Sequence, residues 1–429
     1  MTKEAFYWGA STAAFQIEGA SQSDGKTLSI WDQCGTQDIS PDHYHHFRQD
    51  VILARQMGLD AYRFSISWAR IIPEEGKVNE KGLDFYRQLC GELQNANIRP
   101  IVTLYHWDLP QWAQDKGGWL WDGISDVFRD YVGIVRDALG DQVSQWITLD
   151  APGAIAADGY LDGTIAPFVR CPENEQKDAA LQLSKNLLLA HGKAVKALRE
   201  GAKLTPRIGI AMDGFVFLPR RETAEEITAA REKTFPDKPT LRFTNWWTDT
   251  LALGKPCPEL AAALSCEELE IISQPLDFLG VCCREVGGSN QAFPGMPRTA
   301  TDKLIEPEAL YWCIRFCAER YQLPILVTGN GMANIDFIMS DGLIHDQQRI
   351  EYMKGYLGSV NRALAECIPV EGYLYWSLMD GIAWTGGVNR RYGLIYVDYQ
   401  TRKRYFKDSA IWYSQVIADR EKLLKGERM

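Results

Sequence analysis

The sequence predicts an α/β chain folded as a single (β/α)8 barrel over residues 1–429. Three observations carry that expectation. Apolar, strand-like runs alternate with amphipathic stretches from one end to the other, and there are eight such runs. No Pro/Gly-rich linker or sustained low-complexity segment splits the chain. The length of 429 residues suits two or three average domains or one large barrel with insertions, and 46% hydrophobic content is ample for a deep core.

In chain order, the first apolar run, 6–13, leads through an amphipathic stretch at 46–57 to a second run at 61–68. The stretch 80–96 then separates it from a third run, 99–107, and 123–139 separates that from a fourth, 145–149. A long amphipathic stretch, 178–200, precedes the fifth run at 207–213. The polar, charged segment 220–239 reads as a surface helix with its loop, and 277–283 is the sixth run. Gly, Pro and Ser crowd 287–301, which reads as the loop after it. The stretches 307–319 and 347–365 flank the seventh run, 325–328, and 373–380 is the eighth. Eight short strands with helices between them fit a closed barrel better than an open sheet.

Composition excludes several classes. A formal charge of −10 argues against nucleic acid and against anionic membrane surfaces. No apolar run reaches the length of a spanning helix. The first residues run straight into Ala5-Phe6-Tyr7-Trp8-Gly9 with no signal-peptide hydrophobic segment, so a cytoplasmic protein is expected. The ten cysteines lack zinc-ligand spacing and are too dilute for a disulfide scaffold, so they read as reduced thiols. No metal or organic cofactor signature is visible, and none is expected. Fourteen tryptophans include many near strand ends. Most of them serve core packing, although flat rings also commonly line carbohydrate pockets.

In such barrels the chemistry sits at the carboxyl ends of the strands. That rule gathers Gln16, Arg63, His106, Trp107, Asp150, Cys282, Arg284, Gly329, Asn330, Trp376, Asp380 and Trp384 into one basin.

The residues also carry a resemblance. Phe6-Tyr7-Trp8-Gly9-Ala10-Ser11-Thr12-Ala13-Ala14-Phe15-Gln16-Ile17-Glu18-Gly19-Ala20 resembles the amino-terminal signature of glycoside hydrolase family 1, the β-glucosidase family. Asp42-His43-Tyr44-His45, Tyr62-Arg63-Phe64-Ser65-Ile66-Ser67-Trp68, Leu104-Tyr105-His106-Trp107-Asp108-Leu109-Pro110 and Tyr375-Trp376-Ser377-Leu378-Met379-Asp380 continue it in order. The resemblance implies a retaining glycosidase ancestry, in which two carboxyl groups about 5–5.5 Å apart flank the scissile bond. It places the acid/base in a Thr-Leu-Asn-Glu-Pro string, which here is Thr148-Leu149-Asp150-Ala151-Pro152. It places the nucleophile in Thr-Glu-Asn-Gly, which here is Thr328-Gly329-Asn330-Gly331. The acid/base position is therefore Ala151 and the nucleophile position Gly329. A methyl group and a hydrogen atom can neither shuttle a proton nor attack an anomeric carbon, so glycosidase activity is expected to fall by several orders of magnitude.

The resemblance further implies that Ala383 stands where a sugar-gripping glutamate is usual, before Trp384. Cys282 stands in place of an asparagine, and Arg284 in place of the nucleophile's tyrosine partner. Gln16, His106, Trp107, Trp376 and Trp384 are kept, and the loop after Trp31-Asp32 is short.

Arg63 matches an arginine that in the family accompanies the nucleophile carboxylate. With Gly329 there, Arg63 loses that partner, and Arg284 adds a second guanidinium. Either a ligand carboxylate or phosphate, or an internal acid such as Asp150 or Glu285, has to offset them. Arg390-Arg391-Tyr392 resembles part of the phosphate-binding signature of relatives that cleave 6-phosphoglycosides, though Ala383 replaces their usual serine. The expected partner is thus a polar small molecule, with a carboxylate or phosphate as one alternative.

Asp150 and His106 are the candidate proton-handling pair, and Cys282 is a candidate nucleophile if an arginine lowers its pKa. Gln16, Arg63, Trp107, Arg284, Asn330, Trp376, Trp384 and Arg390 are candidate ligand contacts. Three functions follow. The favoured one is a repurposed enzyme doing non-glycosidic acid/base chemistry on a polar, anionic small molecule, in the manner of specialised metabolism. The others are a non-catalytic pseudoglycosidase that binds a sugar or a partner, and an unconventional or weak glycosyl or phosphoglycosyl hydrolase.

Overall fold

The structure is a computed structural model describing residues 6–35, 39–282, 286–287 and 295–420. Eight parallel strands close into a barrel: β1 (Tyr7–Ser11), β2 (Ala61–Ser65), β3 (Arg99–Tyr105), β4 (Gln145–Asp150), β5 (Arg207–Asp213), β6 (Phe278–Cys282), β7 (Ile325–Asn330) and β8 (Val370–Trp376). Each pairs with its sequence neighbours, and β8 pairs back to β1. The (β/α)8 expectation therefore holds. Each expected run overlaps its strand; five run past its carboxyl end, while 145–149 and 325–328 stop short of it. Residues 66–68, for example, leave β2 for the helical turn Trp68–Ile71. Those residues are as buried as the strand itself, and an apolar run alone does not distinguish a buried strand from a buried turn. The eighth strand instead begins three residues earlier than expected, at Val370, and stops at Trp376.

Helices cover the barrel: α1 (His43–Gln56), α2 (Glu80–Asn95), α3 (Ile124–Leu139), α4 (Gln176–Arg199), α5 (Thr244–Leu253), α6 (Pro307–Tyr321), α7 (Gln347–Ala365) and α8 (Asp408–Ala418). The charged segment after β5 does hold a helix, Ala224–Thr234, whose N-cap Thr223 accepts a hydrogen bond from the Glu226 amide. One interior layer takes a single side chain from each strand: Tyr7, Ala61, Ile101, Ile147, Ala211, Phe278, Leu326 and Leu374. Large and small residues share this layer, which lets eight side chains fill the lumen.

Two strands depart from regular pairing near the rim. Between Ile147 and Asp150, β4 carries one residue more than the facing Gly209–Ala211 segment of β5. Between Val327 and Asn330, β7 likewise carries one more than Tyr373–Tyr375 of β8. Such bulges re-aim the side chains that follow them.

Behind the β7 and β8 loops lies a buried set of charges. Lys407 Nζ donates to Asp336 Oδ2 (2.6 Å) and Asp380 Oδ1 (2.7 Å). Arg349 donates to Asp336 (2.7 Å) and to Asp346, and Arg391 donates to Asp380 (2.7 Å). Burial pushes the Lys407 ammonium below its usual range, aided by the nearby Arg349. Burial works against the Asp336 carboxylate, but Lys407 and Arg349 hold its pKa below the usual value. Three acids and three bases balance, so no net charge is left in the interior. Nearby, His345 bridges Asp341 (2.8 Å) and Asp408 (2.6 Å) on the surface, and these hydrogen bonds raise its pKa from 6.5 to about 9.

Two outcomes are expected. Lys407→Met leaves three buried carboxylates to two cations, Arg349 and Arg391, and this uncompensated buried charge should lower stability by about 3–5 kcal/mol in denaturant titrations. His345 is held protonated by the fold, so its contribution is complete below pH 6.5 and disappears as pH rises through about 9. The stability gap between the wild type and His345→Ala should close over that window.

Candidate functional site

The fourth strand delivers the first group. Thr148, one residue into the bulge, hydrogen-bonds His191 Nδ1 of α4 (2.7 Å), and burial keeps that imidazole neutral by pushing its pKa down to about 3. Asp150 follows and turns to Arg63 of β2, with which it forms a buried ion pair. Arg63 also donates Nε to Thr103 Oγ1 (2.8 Å) and Nη1 to the Thr328 carbonyl (2.9 Å). Both partners of the ion pair are 1% exposed. Of the alternatives open in the sequence, an internal acid is therefore the one that meets Arg63.

His106 Nε2 stands 3.5 Å from the other Asp150 oxygen. Trp107 adopts φ 76° and donates Nε1 to the Asp150 carbonyl (2.9 Å). Its own carbonyl accepts from Trp31 Nε1 (2.8 Å). Ala151 comes next, in the left-handed region at φ 48° and 1% exposed.

The seventh strand delivers the second group. A Cβ built on Gly329 would lie 3.4 Å from Trp376, 3.7 Å from Cys282 Sγ and 3.7 Å from Ser11 Oγ, all ordinary contact distances. The position would accept a β-carbon and has none. Cys282 donates its thiol to the Gly329 carbonyl (2.7 Å), as a neutral S–H does. Asn330 faces away from Gly329 and is held by Tyr352 (3.0 Å) and Tyr373 (2.8 Å). Gln16 donates to the Ile382 carbonyl (2.6 Å).

These elements frame a cavity of about 410 Å³ at the barrel mouth. Gln16, Trp107, Cys282, Gly329, Trp376 and Trp384 line its inner part. The Trp384 ring lies 4.6 Å from Trp31, 5.2 Å from Trp107 and 5.7 Å from His106, and stacks on Phe15 at 6.0 Å. Among the described residues, Asp150, His106, Arg63 and Asn330 sit behind this lining rather than in it. Asp380 belongs to the Lys407 charge set, and Arg390 is half-buried outside the lining. Arg284 lies outside the described residues, as do Cys283 and Glu285.

Sequence reasoning missed the outer wall, where Phe215, Arg242, Phe243 and Trp247 after β5 face Lys303 and Tyr392. The cluster of aromatic residues at 243–247 was the available signal. Phe15 and Trp31, which brace Trp384, were visible only as members of longer motifs. No group of metal-ligating side chains converges among the described residues, and none of the described cysteines forms a disulfide. No described helix is long and apolar enough to cross a membrane.

The family model "Glycosyl hydrolase family 1" matches residues 1–285 and 283–422. Beta-glucosidase A of Thermotoga maritima is 37% identical over 448 residues, covering 96% of this chain and 97% of that protein. Beta-glucosidase A of Acetivibrio thermocellus is 38% identical over 450 residues, with the same coverage of both chains. The solved Thermotoga maritima beta-glucosidase in complex with glucoimidazole superimposes with a TM-score of 0.86 at 36% identity, covering 97% of this chain and 98% of that one.

Two substitutions should separate the site's halves. Asp150→Asn leaves Arg63 buried without its counter-charge and should cost about 3–5 kcal/mol of folding stability. Gly329→Ala meets only ordinary contacts and should change stability by less than about 1 kcal/mol. Urea melts of both variants beside the wild type check the contrast.

Proposed function

The chain belongs to glycosyl hydrolase family 1, and from that premise we propose that it binds a polar, ring-shaped small molecule in the barrel mouth without cleaving it through a glycosyl–protein adduct. One observation carries this reading. Gly329 lines the cavity and offers no carboxylate there, although a β-carbon would meet only ordinary contacts, and the nearby acid, Asp150, is already neutralised by Arg63. Retaining hydrolysis needs two carboxyl groups free to act on opposite sides of one bond. Neither Ala151 nor Gly329 supplies one, and Asp150 is committed to a buried pair.

What supports binding is the preserved aromatic wall of Trp107, Trp376 and Trp384, braced by Phe15 and Trp31. Flat rings hold the apolar faces of sugars and aryl groups whatever the ligand's charge. Because Arg63 has an internal counter-ion, the ligand has no charge to supply there, and a neutral ligand is the simpler occupant. A relative of this chain binds glucoimidazole, a sugar-like compound, in its solved complex. The absence of disulfides among the described cysteines supports a reducing, cytoplasmic setting.

A second reading, non-glycosidic acid/base catalysis, draws on the 3.5 Å approach of His106 to Asp150. It differs from the first in requiring turnover that Asp150→Asn abolishes. In that reading Cys282 is a neutral filler rather than a nucleophile, since its thiol proton is held by a carbonyl.

Titration with p-nitrophenyl β-D-glucoside tests the proposal. Tryptophan fluorescence should change saturably while no nitrophenol is released. Trp384→Ala should weaken binding about tenfold, the loss expected from removing one stacking ring. Steady nitrophenol release by the unmodified chain, or no binding at all, would overturn it.

A further inference from the structure

We propose that a second, smaller cavity behind the aromatic wall of the mouth is a proton site, in which Asp108 stands as a neutral, protonated acid and keeps that wall closed. This cavity measures about 20 Å³, enough for one water molecule. Phe15, Asp32, Asp108 and Ile382 are among the residues that line it. Asp32 follows Trp31, Asp108 follows Trp107, and Ile382 stands two residues before Trp384. The segments that carry Phe15, Trp31, Trp107 and Trp384 therefore meet around this one cavity.

Charge pairing leaves Asp108 out. Glu18 accepts from Arg70 Nε (3.0 Å) and from the Tyr86 hydroxyl of α2 (2.5 Å). Asp32 is paired with Lys26 (3.3 Å). Asp108 is 1% exposed, and both its oxygens are buried without a hydrogen-bond partner. An unpaired carboxylate taken out of water is so costly that the group takes up a proton instead. The protonated acid can then share one water molecule with the hydroxyls of Ser29 and Ser67, which also line the cavity. Burial and the nearby Glu18 push the Asp108 pKa well above the usual carboxylate value, and Lys26, Ser67 and its own amide oppose them only in part. Its remaining titratable neighbours are Tyr105 of β3 and Tyr131 of α3. Burial pushes both phenols well above their usual value, so they stay neutral.

Ionisation acts on the wall. A charged Asp108 has to be solvated, and a cavity of this size admits little more than one water unless the segments around it separate. The same segments hold the rings, so the wall loosens as the acid loses its proton. The consequence for ligand binding rests on the wall being the ligand's seat, as read above; the proton itself does not.

Denaturant titrations of the full wild-type chain and of Asp108→Asn, over roughly pH 5 to pH 10, test the proposal without any ligand. In the unfolded chain Asp108 ionises near its ordinary value of 3.8, whereas in the folded chain it keeps its proton. The amide has no proton to lose, and other groups cancel in the difference. The wild type's folding constant should therefore fall about tenfold per pH unit relative to the variant's, until the folded acid ionises and the difference levels off. At that pH acrylamide should begin to quench tryptophan fluorescence more strongly in the wild type and not in Asp108→Asn. Ser67→Ala removes a hydroxyl that favours the ionised form, so it should move both events to higher pH. It also carries the test if Asp108→Asn does not fold. A pH-independent difference overturns the proposal, as does levelling off with no change in quenching, or a Ser67→Ala midpoint equal to the wild type's. A wild type stabilised by potassium at constant pH overturns it too, since that is the mark of an ionised Asp108 holding a cation.

Discussion

A guanidinium buried to 1% exposure under a barrel mouth has to be matched by an anion. Leaving it unmatched would cost several kcal/mol, a large part of a domain's net stability. Arg63 is fixed by its strand, by Thr103 and by the Thr328 carbonyl, so it cannot swing out to water. The chain supplies its anion from the next-but-one strand, and the rest of the mouth follows from that choice. Asp150 is drawn behind the lining, Trp107 packs over it through its backbone carbonyl, and His106 comes to rest against its second oxygen. The floor facing the cavity is left to a glycine, a thiol and indole rings.

The same logic operates on the far side of the mouth. The β7 and β8 loops hold their shape through Lys407 and Arg349, which share Asp336, and Arg391, which pairs with Asp380. The seventh strand is held on both sides. Arg63 reaches Thr328 from within, and Asn330 ties that strand's end to Tyr352 and Tyr373. The rim around Gly329 is therefore fixed from both sides, although Gly329 itself contributes no side chain.

Much of this was legible in the sequence. The barrel could be read because buried parallel strands are short apolar runs and the helices between them are amphipathic. Strand ends were less legible, since Ile66 and Trp68 are as buried in a turn as they would be in a strand. Ala151 and Gly329 could be found from motif position alone. What Asp150 does could not, because a one-residue bulge decides where it points, and nothing in Thr148-Leu149-Asp150 announces the bulge. The Lys407 set was invisible for a different reason. Its members are scattered from Asp336 to Lys407, and only tertiary folding brings them together. Asn330 shows the limit of strand-end reasoning: it stands where expected, yet serves two tyrosines instead of the cavity.

The bare backbone at Gly329 bears on how this chain can change over generations. A β-carbon there would meet only ordinary contacts, so sterics at that atom would not block a side chain. Arg63, however, lies one peptide away and already has Asp150. A second carboxylate arriving first would leave two negative charges competing for one cation. An amide at 150 arriving first would strand the cation instead. Each single step is penalised and only the pair is tolerated, so the present arrangement is an evolutionary ratchet held in place by the ion pair beneath it.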